Sequence, residues 1–167
     1  TFAHEFGHTL GLPDLYDTDY SSNGYGDWCI MAGGSWADGG NTPVQMCAWS
    51  KEFMGWIEPT IVSSHNDLAR LDTITTGPHA WKVYAQDPSV NTSEYFLLEN
   101  RQQVQFDSYL PGAGLLVTHV DNSVWQSSPW TCNDNDNHRT ADVEEADNND
   151  DPTSASDVYT TFGTSSF

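Results

Sequence analysis

Ala3-His-Glu-Phe-Gly-His-Thr-Leu-Gly-Leu-Pro-Asp14 is the stretch that decides how this chain is read. His4 and His8 are four residues apart, so on a helix they share one face and both imidazoles can reach one ion. Glu5 stands beside them, completing the pattern His-Glu-x-x-His, in which two histidines hold zinc and the glutamate serves as general base. Gly11 sits where a helix needs a left-handed residue to turn out, and Pro13 keeps the helix from resuming. Asp14 falls at the offset where the extended motif, His-Glu-x-x-His-x-x-Gly-x-x-His, carries its third ligand. A carboxylate oxygen can fill that place on zinc, and Asp17 and Asp19 are the alternatives. A zinc helix is expected over residues 1–11.

A second element follows. Gly26-Asp-Trp-Cys-Ile-Met31-Ala-Gly-Gly-Ser-Trp36 resembles the Met-turn of the metzincins, a tight loop that sets a methionine, here Met31, beneath the metal. The chain resembles the immune inhibitor A-like metalloproteases, secreted bacterial-type peptidases related to the metzincins. The resemblance rests on several stretches in one order: His4 to Asp19 with Pro13-Asp-Leu-Tyr-Asp17, Asp27 to Trp36, and Ala48-Trp-Ser-Lys-Glu-Phe-Met-Gly-Trp-Ile-Glu-Pro59. It continues through Tyr95-Phe-Leu-Leu-Glu-Asn-Arg101, Phe106-Asp-Ser-Tyr-Leu-Pro-Gly-Ala-Gly-Leu-Leu116, His119-Val-Asp121 and Asp142-Val-Glu-Glu-Ala-Asp147.

The resemblance implies a zinc endopeptidase in which His4, His8 and Asp14 bind the metal and Glu5 is the catalytic base. Its substrates would be proteins or peptides. Other metzincins often carry a tyrosine two residues after the Met-turn methionine, where this chain has Gly33. The oxyanion helper is therefore open among Tyr16, Tyr20 and Tyr25. Zinc proteases of this class place a twisted sheet and a backing helix before the zinc helix. The chain begins three residues before His4. It is thus expected to be an internal piece that needs the polypeptide upstream of Thr1 as partner and is inactive alone. Cys29 and Cys47 should both lie near the active-site floor, so a Cys29–Cys47 disulfide is expected, with Cys132 free or paired elsewhere. Three buried thiols are the other reading.

With 24 Asp and Glu against 5 Lys and Arg, the formal charge is −19. Such a surface repels nucleic acid and anionic membranes and suits an exported, extracellular protein. No apolar run approaches the ~20 residues of a membrane span. Seven each of Trp, Tyr and Phe argue against disorder over most of the length.

The expected fold class is α+β. Residues 1–59 would hold the zinc-binding helix, the Met-turn loop and a second helix. Residues 60–167 would form an antiparallel β-rich region of the same catalytic unit, ending in an acidic segment. Thr42-Pro43 reads as N-cap and first turn of the second helix, which runs to Met54 and closes at Gly55. Strands are expected over 68–74, 80–84, 94–101 and 114–120. Glu99 and Arg101 flank Asn100 and so face one side of a strand, as structural partners.

From Asn133 to Asp151 the chain is rich in oxygen ligands, and calcium is the expected second cofactor, with Asp134, Asp136 and Glu144 or Glu145 as donors. A plain acidic loop is the competing reading. His65, His79, His119 and His138 read as surface or core histidines, His119 being the one to watch because His-Val-Asp recurs in the family. Asn91-Thr-Ser93 is a glycosylation sequon in a loop before a strand. Two other functions stay in view: a latent or inactive protease-like domain of an extracellular structural or adhesion protein, and a non-peptidase zinc hydrolase built on the same helix.

Overall fold

A computed structural model of the chain describes residues 2–63, 71–74 and 79–160. The fold is α+β, with short helices set against one five-stranded sheet. Helix α1, Phe2–Thr9, buries His4 and Gly7 and ends at Gly11, whose φ of 98° is the left-handed turn the sequence asks for. Residues 12–41 then run irregularly, with 3-10 stretches at Gly26–Trp28 and Gly33–Gly40, the latter kinked at Ala37 to Gly39.

Helix α2, Ala48–Phe53, is shorter than expected. It does end where predicted, with Met54 at the C-cap and Gly55 at φ 68°. It does not start at Thr42-Pro43. Cys47 is the N-cap and has extended geometry. The reason is where the preceding N–H groups go. Val44 N–H donates to Gly34 O, Gln45 N–H to Asp107 Oδ1, and Cys47 N–H to Cys29 Sγ. A helix begun at Thr42 would spend Cys47 N–H on Pro43 O, and the tertiary acceptors hold that donor and the Val44 and Gln45 N–H groups in an extended segment instead.

The strands are β1 Thr60–Ile61, β2 Trp81–Tyr84, β3 Glu94–Arg101, β4 Gly114–Asp121 and β5 Ala141–Val143, side by side in that order. The central pairing of β3 with β4 is antiparallel and runs from Glu94↔Asp121 to Arg101↔Gly114. The sheet is mixed, not antiparallel throughout, because β1 pairs parallel to β2. β5 lies inside the stretch read as an acidic tail. Ala141 and Val143 are buried there against β4. Of the expected strand 68–74, residues 68–70 lie outside the described residues, as does His65; Thr73 forms only an isolated bridge to Asn100. A third helix, α3, Asn122–Ser127, follows β4, with Asp121 accepting from Ser123 N–H at its start.

β3 alternates strictly, burying Tyr95, Leu97, Glu99 and Arg101 on one side. That side meets Trp28, Met31, Leu12, Leu15 and Trp49 in one hydrophobic core. Arg101 ties the sheet to the loop. It grips Asp107 through two bonds of 3.0 Å, donates to Trp28 O at 2.7 Å, and lies 3.6 Å from Glu99. Glu99 in turn accepts from Ala48 N–H at the start of α2. The sequence reading of Glu99 and Arg101 as structural partners matches this arrangement.

The expected Cys29–Cys47 disulfide is not formed. All three cysteines are free and buried. Cys29 and Cys47 are neighbours, as expected, but the Ser50 hydroxyl contacts both sulfurs, at 3.8 and 3.4 Å. Cys29 Sγ also accepts from Met31 N–H and Cys47 N–H. Burial opposes the Cys29 thiolate, but the Cys47 side chain, the Cys47 and Met31 N–H groups and Ser50 together outweigh it and bring its pKa down to about 7. Cys132 lies apart, contacting Asp14 O.

Candidate metal centre

α1 sets His4 and His8 one turn apart, and the turn at Gly11 brings Asp14 back beneath them. His4 Nε2 and His8 Nε2 are 3.2 Å apart. Asp14 Oδ1 is 3.1 Å from the first and 3.2 Å from the second. Each histidine is oriented from behind. His4 Nδ1 bonds Ile30 O at 2.8 Å and His8 Nδ1 bonds Leu12 O at 2.9 Å. A ring whose Nδ1 donates to a carbonyl presents a lone pair at Nε2 when neutral. Three lone-pair atoms therefore converge on one point. Asp14 Oδ1 is buried and has no properly directed hydrogen bond.

Such a trio repels itself unless a cation or proton sits within it. The electrostatics agree. The nearby Asp14 carboxylate raises the pKa of His4 against the burial that lowers it. Burial disfavours ionised Asp14, yet His4 and His8 outweigh it and hold its pKa below the usual value. The spacing suits zinc: ligand atoms about 2.0–2.1 Å from the ion stand roughly 3.3 Å apart at tetrahedral corners. Backbone carbonyls orienting the far ring nitrogens complete the usual outer support of a metal-bound histidine. The donor set thus fits zinc. It is also the one such His, Cys, Asp and Glu cluster among the described residues.

Met31 is fully buried directly under α1. A Cβ added at Gly7 would strike its sulfur, so the glycine lets helix and loop approach closely. Ile30 and Met31 belong to one loop segment, and Met31 O accepts from Leu15 N–H at 2.8 Å. The segment that carries Met31 therefore also fixes His4 and the strand of chain leading to Asp14. Tyr16 stacks on His4, with centroids 6.3 Å apart, and burial, followed by the nearby Asp14 carboxylate, raises the pKa of its phenol. Neither carbonyl, Ile30 or Leu12, could have been picked from side-chain chemistry; Tyr16 was named only as an oxyanion candidate.

A cleft of about 400 Å³ opens beside the trio, lined by His4, Glu5, Tyr16 and Tyr20 among others. Glu5 is exposed there. Tyr25 is removed from the oxyanion candidates: it is fully buried and its hydroxyl bonds Thr118 at 2.7 Å. Asp17 and Asp19 are not with the histidines. Asp17 organises its own loop, accepting from Asp19 N–H, Ser21 Oγ and Ser22 N–H.

The expected calcium donors do not assemble. Asp134 accepts from Thr18 N–H and Oγ1, and Asp136 pairs with Arg139 at 3.5 Å. Glu144 is exposed, and Glu145 has one buried, unpartnered oxygen. No three of these carboxylates form a cluster among the described residues. His119 pairs with Glu94 and His138 with Asp121, both away from the trio. Asn91 lies before β3 as expected, with its Oδ1 accepting from Ser93.

Sequence comparison adds a match over the N-terminal part of the chain. Residues 1–57 match the model of the immune inhibitor A peptidase M6 catalytic domain. The chain is 50% identical over 56 residues to the pre-pro-metalloprotease PrtV of Vibrio cholerae serotype O1, which is 31% of this chain and 6% of that protein. It is 51% identical over 74 residues to immune inhibitor A of Bacillus thuringiensis subsp. alesti, 42% of this chain and 10% of that protein. The matched part is thus a small share of these curated relatives. No solved structure matches the chain. Over its N-terminal part, which holds His4, Glu5, His8, Asp14 and Met31, the chain is homologous to the immune inhibitor A (M6) metalloproteases.

Proposed function

We propose that the chain carries the metal-binding and general-base machinery of a zinc-dependent endopeptidase that hydrolyses peptide bonds of extracellular proteins. The observation that carries this reading is the convergence of His4 Nε2, His8 Nε2 and Asp14 Oδ1 within 3.2 Å of one another, beside an open cleft. The homology to metalloproteases over the same residues supports it. Zinc, when bound, polarises the scissile carbonyl and lowers the pKa of a water from 15.7 to about 7.

His4, His8 and Asp14 would hold the ion. Glu5 lies next to His4 on the cleft wall, where its carboxylate can take a proton from water and return it to the leaving amine. Tyr16 and Tyr20 are the phenols on the cleft wall that can donate to a developing oxyanion. Met31 and Ile30 form the floor that keeps His4 in position. The net charge of −19 suits an exported protein, and no described helix is long and apolar enough to cross a membrane.

Glu5→Gln in the full-length protein tests the chemistry. Glu5 is not a ligand, so zinc content should stay at the wild-type level while peptide turnover falls about 10²–10⁴-fold. Near-normal turnover by the variant would remove Glu5 from the mechanism.

A further inference from the structure

The cleft beside the trio has an unbalanced chemistry. Its wall includes the carboxylates of Glu5, Asp17 and Asp27 and the rings of Tyr16, Tyr20 and Trp36. Tyr20 and Trp36 are 83% and 70% exposed, so their faces are open to a ligand. No lysine or arginine lines the cleft among the described residues. Of the five in the chain, Lys51 donates to Gln45, Lys82 pairs with Glu52, and Arg101 is locked to Asp107. Arg139 is held by Asp142 and Asp150, and Arg70 lies outside the described residues.

The three acids differ. Asp17 is saturated by donors from Asp19, Ser21 and Ser22. Glu5 is assigned to proton transfer. No hydrogen bond or ion pair reaches the Asp27 carboxylate among the described residues. Burial, with Asp151 and Asp157 nearby, raises its pKa, as expected of an acid lacking a counter-ion. Gly33 makes room for this carboxylate, since a Cβ there would collide with Asp27 Oδ1. A metal ion does not suit the position, because no third donor completes a cluster with Asp27 among the described residues.

We propose that this cleft receives a lysine or arginine side chain of the substrate, with Asp27 as its carboxylate partner and Tyr20 and Trp36 as its aromatic walls. This rests on the peptidase reading of the same site. A cation can lie over aromatic faces while its head meets a half-buried carboxylate, a pairing worth more than one in open water. An acidic substrate side chain would meet Glu5 and Asp27 and be repelled.

The test uses zinc-loaded full-length protein and peptides that differ at a single position flanking the cleaved bond: lysine, norleucine or glutamate. At one position lysine should exceed norleucine in kcat/KM by about tenfold, with glutamate lowest. Asp27→Asn should bring the lysine-to-norleucine ratio to about one. In parallel, binding of the same peptides to the Glu5→Gln protein is read by fluorescence anisotropy and should show the same order. A ratio of one in the wild type, or a lysine preference that survives Asp27→Asn, overturns the proposal. Lack of turnover overturns the peptidase reading instead, while the binding ratio still decides the chemistry of the cleft.

Discussion

Asp14 is the residue on which the metal reading turns. His4 and His8 alone could be a stacked pair on a helix; their rings do meet edge to face at 4.7 Å. Asp14 adds a buried oxygen with no directed hydrogen bond, and only a cation or proton resolves that. Replacing groups that merely support a metal ligand typically costs 10- to 100-fold in affinity. Asp14→Ala removes a ligand outright, so zinc affinity, measured by competition with a chelator, should fall more than about a hundredfold. An affinity within a factor of about two of the wild type would exclude Asp14 from the site. This part of the centre was legible in the sequence because its three donors sit on one short segment, joined by a helix and a glycine turn. Asp27, Ile30 and Leu12 were not. Their importance comes from a loop folding back under the helix, which no local spacing encodes.

Among the elements, β3 bears the most strain if disturbed, because it buries charge. Arg101 and Glu99 are 0% exposed, and so is Asp107. Burial pushes the Glu99 pKa up, and Arg101 is the strongest influence pulling it back. Arg101→Met would leave buried Glu99 and Asp107 without their guanidinium partner, at a cost of about 3–5 kcal/mol. It would also free Trp28 O at the approach to Met31. Urea denaturation should show the loss as a lower midpoint; an unchanged midpoint would mean the cluster contributes nothing net. Gly34 is a second sensitive point, since an added Cβ would meet the backbone oxygens of Asp27 and Cys29 at 2.7 and 2.8 Å. Gly34→Ala should cost about 1–3 kcal/mol in the same assay. β3 and β4 could be read from alternation because each has one buried face. The start of α2 could not, because Thr42-Pro43 carries a local signal while Gly34, Asp107 and Cys29 capture the following N–H groups from a distance. β5 was hidden for a related reason: three residues with acidic neighbours show no period, and only pairing with β4 makes them a strand.

Across the molecule, acid outweighs base so heavily that stability should follow pH in a definite direction. Burial, with Asp142, Asp150 and Asp157 close by, pushes Glu145 up to about 7 from an ordinary 4.5. A raised carboxyl contributes stability that is fully present below about 4.5 and lost as pH climbs through about 7. Asp27, Asp142 and Asp157 are raised too and act in the same sense. Asp17 opposes at the acid end. Burial would raise it, but Ser21, Ser22 and Asp19 donate to it and bring it to about 2, so its contribution is lost as pH falls from 3.8 through that value. The melting temperature should therefore peak near pH 4–5 and decline toward pH 8, and Glu145→Gln should flatten the decline. A melting temperature that rises from pH 5 to 8 would contradict this. The central claim, that His4, His8 and Asp14 together hold zinc, is tested most directly by zinc-edge X-ray absorption on the full-length protein. The account predicts one zinc per chain with two imidazole nitrogens and oxygen ligands at about 2.0–2.2 Å and no sulfur. A protein that retains no zinc, or a zinc shell containing cysteine sulfur, would contradict it.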